Sequence, residues 1–262
     1  MSSTASAPVA PVARMLARQT LAELRIRSRI PAFSAVSLAL PVLFYSFFGL
    51  PVAHLTFADG RSVGAHVLAA FGAYAVGSVM VYAFGIGVAT ERAMRIDLLL
   101  RATPLPPAVH LLAKIFTGLV YASVSLALLI VFGVLVGGVR QPPAVWLSVA
   151  TRLLAGSLPF IALGFAIGYR YGPNAAPAVA NLVYLSLSFA SGLFMPIEQL
   201  PPVVRGLAPW LPTYHYAQLA WNALGAPTEA VGASLLWLAG YTALFLTLAL
   251  RAYRREEERK FG

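Results

Sequence analysis

Residues 64–89 read GAHVLAAFGAYAVGSVMVYAFGIGVA, and no Asp, Glu, Lys or Arg interrupts them. A bilayer core about 30 Å thick takes about 20 apolar helical residues at a rise of about 1.5 Å each. A soluble core does not require so long a charge-free run, so this segment reads as a membrane span. Working outward, five more such stretches appear. The candidate spans are 32–50, 64–89, 115–136, 153–169, 175–195 and 231–250, which predicts an all-α integral membrane protein with six transmembrane helices. Composition agrees with this reading. The 262 residues are 59% hydrophobic and 11% charged, with a mean hydropathy of +0.77, whereas soluble domains carry about 25% charged residues. The formal charge of +10 is spread between apolar spans. Nucleic-acid binding needs a basic patch on one folded surface, so that class is set aside.

With the N-terminus placed in the cytoplasm, 15 of the 19 Lys and Arg residues fall on the inner side. Arg61, Arg140 and Arg205 fall outside, and Arg152 lies at a boundary. The positive-inside rule therefore favours two cytoplasmic termini. Residues 1–11 read as a disordered leader. Gly133 with Gly137 and Gly164 with Gly168 form small-xxx-small pairs, read as helix packing.

The spans contain no Asp or Glu, so a proton relay at membrane depth has no acid to carry it. A phosphate-binding loop needs Gly-Lys-Ser/Thr, and the two lysines, Lys114 and Lys260, follow Ala113 and Arg259. ATP hydrolysis is therefore not expected in this chain. With no cysteine, thiolate metal sites and cysteine nucleophiles are excluded. The four histidines lack metal-ligand spacing, and none accompanies Ser157, Ser191 or Ser234 at membrane depth as a general base. No catalytic residue, metal or cofactor is assigned. The internal polar candidates are Arg152, His66 near an interface, and Asn181, the last read either as a bond between helices or as a contact lining a substrate path.

Charge concentrates instead in the loop ERAMRIDLLLRATPLPPAVHLLAK, residues 91–114. From Thr90 to Ala102 it holds good helix formers and no Gly or Pro, and Pro104, Pro106 and Pro107 then stop it. This predicts a short cytoplasmic helix. Leu98, Leu99 and Leu100 cannot all face the membrane, and Glu91, Arg92, Arg95, Asp97 and Arg101 supply a polar side, so the helix reads as a docking surface. Upstream, the interfacial helix 12–30 sets Arg14, Arg18, Arg25 and Arg29 on one stripe at 100° per residue. Val12, Met15, Leu16 and Ile26 fall on another sector, with Glu23 and Arg27 intruding. Residues 196–230 are too proline-broken to span. They read as an outer hairpin dipping partly into the membrane, marked by Pro196, Pro201, Trp210, Pro212 and Tyr214.

DLLLRATPLPPAVHLLAK (97–114), SGLFMPIEQLPP (191–202) and WLPTYHY (210–216) together resemble the permease subunits of the ABC-2 transporter family, in particular small bacterial exporters of the daunorubicin-resistance type. The resemblance covers nearly the whole chain, so residues 12–262 form one ABC-2 type transmembrane domain. It implies that the 91–101 helix couples to a separate ATP-binding cassette ATPase, which binds the ATP and Mg, and that a second permease copy or a paralogue completes the complex. The family loop often carries Gly-Thr before its acidic residue, whereas here Met94-Arg95-Ile96 precedes Asp97. Export of an amphiphilic drug, a lipid or a glycolipid is the expected function. A membrane scaffold or assembly factor without a transported solute is the competing class.

Overall fold

The computed structural model describes residues 11–29, 31–96, 103, 105–226 and 229–261. Ten α-helices are described: α1 (Val12–Ser28), α2 (Pro31–Phe44), α3 (Val63–Ala93), α4 (Pro107–Leu135), α5 (Pro143–Ala155), α6 (Leu158–Arg170), α7 (Ala176–Ala190), α8 (Pro202–Leu207), α9 (Pro212–Ala223) and α10 (Val231–Phe261). Among the described residues, β structure is limited to a lone bridge between Thr56 and Ser62.

α3 is the axis around which the others pack. Ser62 caps its start, accepting a hydrogen bond from Ala65 N at 3.1 Å. Most of its residues from Gly64 to Ala89 are buried, and it touches α2, α4, α5, α6, α7 and α9. A helix with this many neighbours needs small residues at its crossings, and its glycines supply them. A Cβ on Gly77 would strike the Tyr184 ring, and one on Gly164 of α6 would lie 2.8 Å from Phe84 Cβ and 2.9 Å from Val81 O. Gly168 meets Val88, Phe84 and Gly85 in the same way. The Gly164/Gly168 pair thus brings the α6 backbone onto α3, as expected for helix packing, and Gly133 admits Leu68 against α4.

Among the described residues, four apolar stretches are long enough to cross a membrane: α3, α4, the broken pair Pro143–Arg170, and α10 as far as Glu256. The other two expected spans contain shorter apolar helices, Ser37–Val52 and Ala176–Ala190. In the first, Pro41 lies inside α2, and the helix widens into a π-turn over Tyr45–Gly49 before tightening to a 3₁₀ turn at Leu50–Val52. In the second, the uncharged stretch outlasts the helix: α7 stops at Ala190, and Gly192 turns the chain with φ 79°. The fourth span begins ten residues before its expected start and bends at Gly156–Ser157 between α5 and α6. Hydropathy measures where charge is missing, not where a helix bends or ends.

At the other end of α3, Met94 N bonds Thr90 O at 3.0 Å and Arg95 N bonds Arg92 O at 3.1 Å. Arg95 then adopts a left-handed φ of 53°, the conformation glycine favours after a helix. The Gly of the resembled family's loop would meet this turn without the cost a side chain brings, about 1–2 kcal/mol.

Replacing Gly164 by Val is expected to destabilise the protein by about 3 kcal/mol or prevent its insertion, because the neighbouring atoms are backbone and cannot swing aside. Gly172→Ala enters open space and should leave the thermal midpoint in detergent unchanged. Equal behaviour of the two variants would contradict the close α3–α6 crossing.

Candidate functional site

The polar groups collect at two opposite ends of the bundle. One end carries the loop that joins α3 to α4, and there the charges of three helices interlock. Glu91, in the last turn of α3, bonds the buried ammonium of Lys114 on α4. His110, one turn earlier on α4, lies between two carboxylates, with Nε2 3.9 Å from Glu91 and Nδ1 3.9 Å from Glu23 of α1. Gln19 Nε2 reaches His110 Nδ1 at 3.3 Å. Arg27, the next buried charge along α1, donates from both terminal nitrogens to Ala83 O at 3.3 Å.

Arg92 faces the opposite side of the same turn. It donates to Gly168 O and to Tyr171 O, 3.4 Å, around the C-terminus of α6, where unpaired carbonyls favour a cation. It also pairs with Glu256 of α10 at 2.5 Å and lies 5.8 Å from the centre of the Tyr169 ring. The two residues that open the predicted coupling helix therefore clamp α3 to α1, α4, α6 and α10. Met94 and Arg95 are exposed beyond the clamp. Asp97, Leu98, Leu99 and Arg101 lie outside the described residues.

The first helix also docks by a face the sequence reading treated as an intrusion. Gln19, Glu23 and Arg27 recur every four residues and meet α3 and α4, while Arg14, Arg18, Arg25 and Arg29 are all exposed. Val12 and Ile26, assigned to the apolar sector, are exposed as well. The signal that could have revealed this docking is the i, i+4 spacing of Gln19, Glu23 and Arg27 together with Lys114, a lysine at the edge of an apolar span.

Glu23, Glu91 and His110 bring their ligand atoms within 4.8 Å of one another. The chemistry of the set does not favour a metal centre. Lys114 already supplies the cation on Glu91, and Gln19 engages the ring nitrogen of His110 that faces Glu23.

At the other end, α9 is buried along its length and fills the bend between α5 and α6. Tyr216 donates to Leu153 O at 2.6 Å, and Arg152 donates to Asn222 Oδ1 at 2.6 Å. Arg152 is thus held within the protein, where the sequence alone left it at a boundary. Trp221 stacks on His66 at 4.4 Å and bonds its carbonyl, and His215 stacks on Trp237 at 4.9 Å. By contrast, α8 exposes Val203 and Leu207, and Trp210 just after it is exposed too. Pro196 and Pro201 cap the short 3₁₀ turn and α8, and Pro212 opens α9. The 196–230 segment therefore has a solvent- or lipid-facing arm and a buried arm.

Between these arms and α3 lies a cavity of about 580 Å³, lined in part by Phe48, Phe57, His66, Phe194, Tyr214 and Trp221. Arg61 at its rim pairs with Asp59 at 2.6 Å, and this pairing holds the Asp59 carboxyl below its usual range. Asn181 lies elsewhere, on an exposed face of α7, and accepts a hydrogen bond from Tyr82 of α3 at 2.9 Å.

Residues 55–251 match the sequence profile of a family described as ABC-2 family transporter protein. The chain belongs to that family, and with its several membrane-length apolar helices it is a multi-pass membrane protein. It is also 30% identical over 245 residues, 93% of this chain and 98% of the relative, to a Bacillus subtilis (strain 168) protein described as "Putative transport permease YvfS".

Lys114→Met, which strips Glu91 of its ammonium, should cost about 3 kcal/mol, the low end for breaking a buried pair because Glu91 is a quarter exposed. The double variant Glu91→Gln/Lys114→Met should recover most of that loss in a thermal melt. Additive losses would mean that the pair does not support the clamp.

Proposed function

We propose that this chain is the permease subunit of an ATP-driven exporter, with the α3–α4 loop facing the cytoplasm and docking a separate ATP-binding cassette ATPase. The observation that carries this reading is the double anchoring of that loop. Glu91 and Arg92 fix its beginning, His110 and Lys114 fix its end, and their partners lie on α1, α6 and α10. A force applied to a loop held in this way passes to four helices rather than being lost in a flexible connector. Family membership supports the transport role, and the permease description of the B. subtilis relative supports the division of labour.

The partner ATPase binds the ATP and Mg, and its closure on nucleotide biases the bundle between inward-open and outward-open states. Such a shift requires contacts that differ between those states. A second permease copy or a paralogue completes the path, and Asn181, exposed on α7 while fixed by Tyr82, is a candidate wall residue. The cavity beneath the 196–230 segment is mostly aromatic and aliphatic, with its arginine neutralised by Asp59 and one carboxylate, Glu198, in its lining. Such a lining suits an amphiphilic drug, a lipid or a glycolipid better than a small hydrophilic solute.

In proteoliposomes holding the chain and its ATPase, the proposal predicts ATP-dependent flux of an amphiphile. Leu98→Asp/Leu99→Asp should abolish both ATPase binding and flux while leaving insertion intact. An inserted double variant that still binds the ATPase would remove the loop from the docking role. An intact complex that moves no amphiphile would favour a scaffold instead.

A further inference from the structure

A second cavity, of about 590 Å³, opens beside the Arg92 clamp where α6, α7 and α10 meet. Its rim holds Arg92, Arg170, Arg251 and Arg255 against one carboxylate, Glu256, which is paired with Arg92. Arg251 and Arg255 are one turn apart on α10 and exposed, and Arg170 stands in the last turn of α6. Among the described residues no acidic group pairs with Arg170, Arg251 or Arg255. Farther along the same helices the lining turns apolar, with Leu163 and Ile167 of α6, Val179 and Val183 of α7 and Leu248 of α10. Orientation in the membrane needs only that arginines lie on one side. It does not require three of them to converge over an apolar floor between three helices.

We propose that this cavity binds the phosphate headgroup of an anionic phospholipid, with the acyl chains lying on the apolar floor. Guanidinium groups match phosphate oxygens in two-pronged geometry, and the volume lies within the range of small-ligand sites. A free phosphate ion offers the same oxygens but gains nothing from Leu163, Ile167 or Leu248. The lipid uses both parts of the cavity. Because α10 and α6 also hold Arg92, the bound lipid wedges the clamp from the membrane side and so stabilises the helices behind the loop.

The test is native mass spectrometry of the full-length chain in mild detergent, titrated with phosphatidylglycerol or phosphatidylcholine. Phosphatidylglycerol should bind in preference. Arg251→Gln/Arg255→Gln should weaken it about 30-fold, a factor of about five for each charge near the surface, whereas Arg14→Gln/Arg18→Gln on the exposed stripe of α1 should not. Arg170→Gln provides an independent variant on another helix and should weaken it about fivefold. Inorganic phosphate at the lipid's concentration should not compete. Equal binding of the two lipids, unchanged binding in the α10 and α6 variants, or full displacement by inorganic phosphate would each overturn the proposal.

Discussion

A charge on a helix that is buried along most of its length must be neutralised where the helix leaves the apolar interior, and this constraint organises one end of the protein. α3 runs through the middle of the bundle and ends with an acid and a base side by side, Glu91 and Arg92. Each turns to a different side. Lys114, with His110 and Glu23 close by, answers the carboxylate, while Glu256 and the carbonyls ending α6 answer the guanidinium. Removing one member of such a pair leaves the other desolvated, which costs more than the pair's own net contribution. The arrangement therefore fixes α1, α4, α6 and α10 relative to α3 at the level from which the connecting loop departs.

The opposite end is held by different means. There α9, with Tyr216, His215 and Trp221 all buried, enters the bend of α5–α6 and stacks on residues at the starts of α3 and α10. A side chain on Gly156 would press Leu219 and Tyr216, so the bend and the buried arm presuppose each other. Aromatic stacking and hydrogen bonds to main-chain carbonyls dominate here, with Glu229 3.2 Å from His215 Nδ1 and the Arg61–Asp59 pair beside them, and α8 remains outside with its apolar residues exposed. The bundle is thus clamped by charge at one end and mainly by aromatic packing at the other.

Much of this was legible in the sequence because it follows from the absence of charge. The all-helical class, the apolar stretches, the close packing at Gly164 and Gly168 and the isolation of residues 91–114 all come from patterns a single chain carries. The bends did not. Nothing in a hydropathy profile distinguishes the 15 residues of α7 from a full crossing, or shows that a helix, Pro143–Ala155, leads into the bend before α6. The roles of individual charges were hidden as well. Glu91 and Arg92 read as docking residues because they sit in a charged loop, yet their partners are Lys114, Glu256 and main-chain oxygens at sequence separations from 23 to beyond 100 residues. Glu23 and Arg27 looked like intrusions on an amphipathic helix because the face they occupy meets polar groups of α3 and α4 rather than lipid. The left-handed Arg95 could be suspected only by comparison with a family that places Gly there.

The central claim is that the energy for movement comes from another protein held at the α3–α4 loop. Its most direct test is quantitative mass spectrometry of the proteins that co-purify with the tagged full-length chain, extracted from native membranes in mild detergent with and without crosslinking. The account predicts an ATPase bearing a phosphate-binding loop in near-equimolar amount. Recovery of lipid and other membrane proteins alone, even after crosslinking, would contradict it.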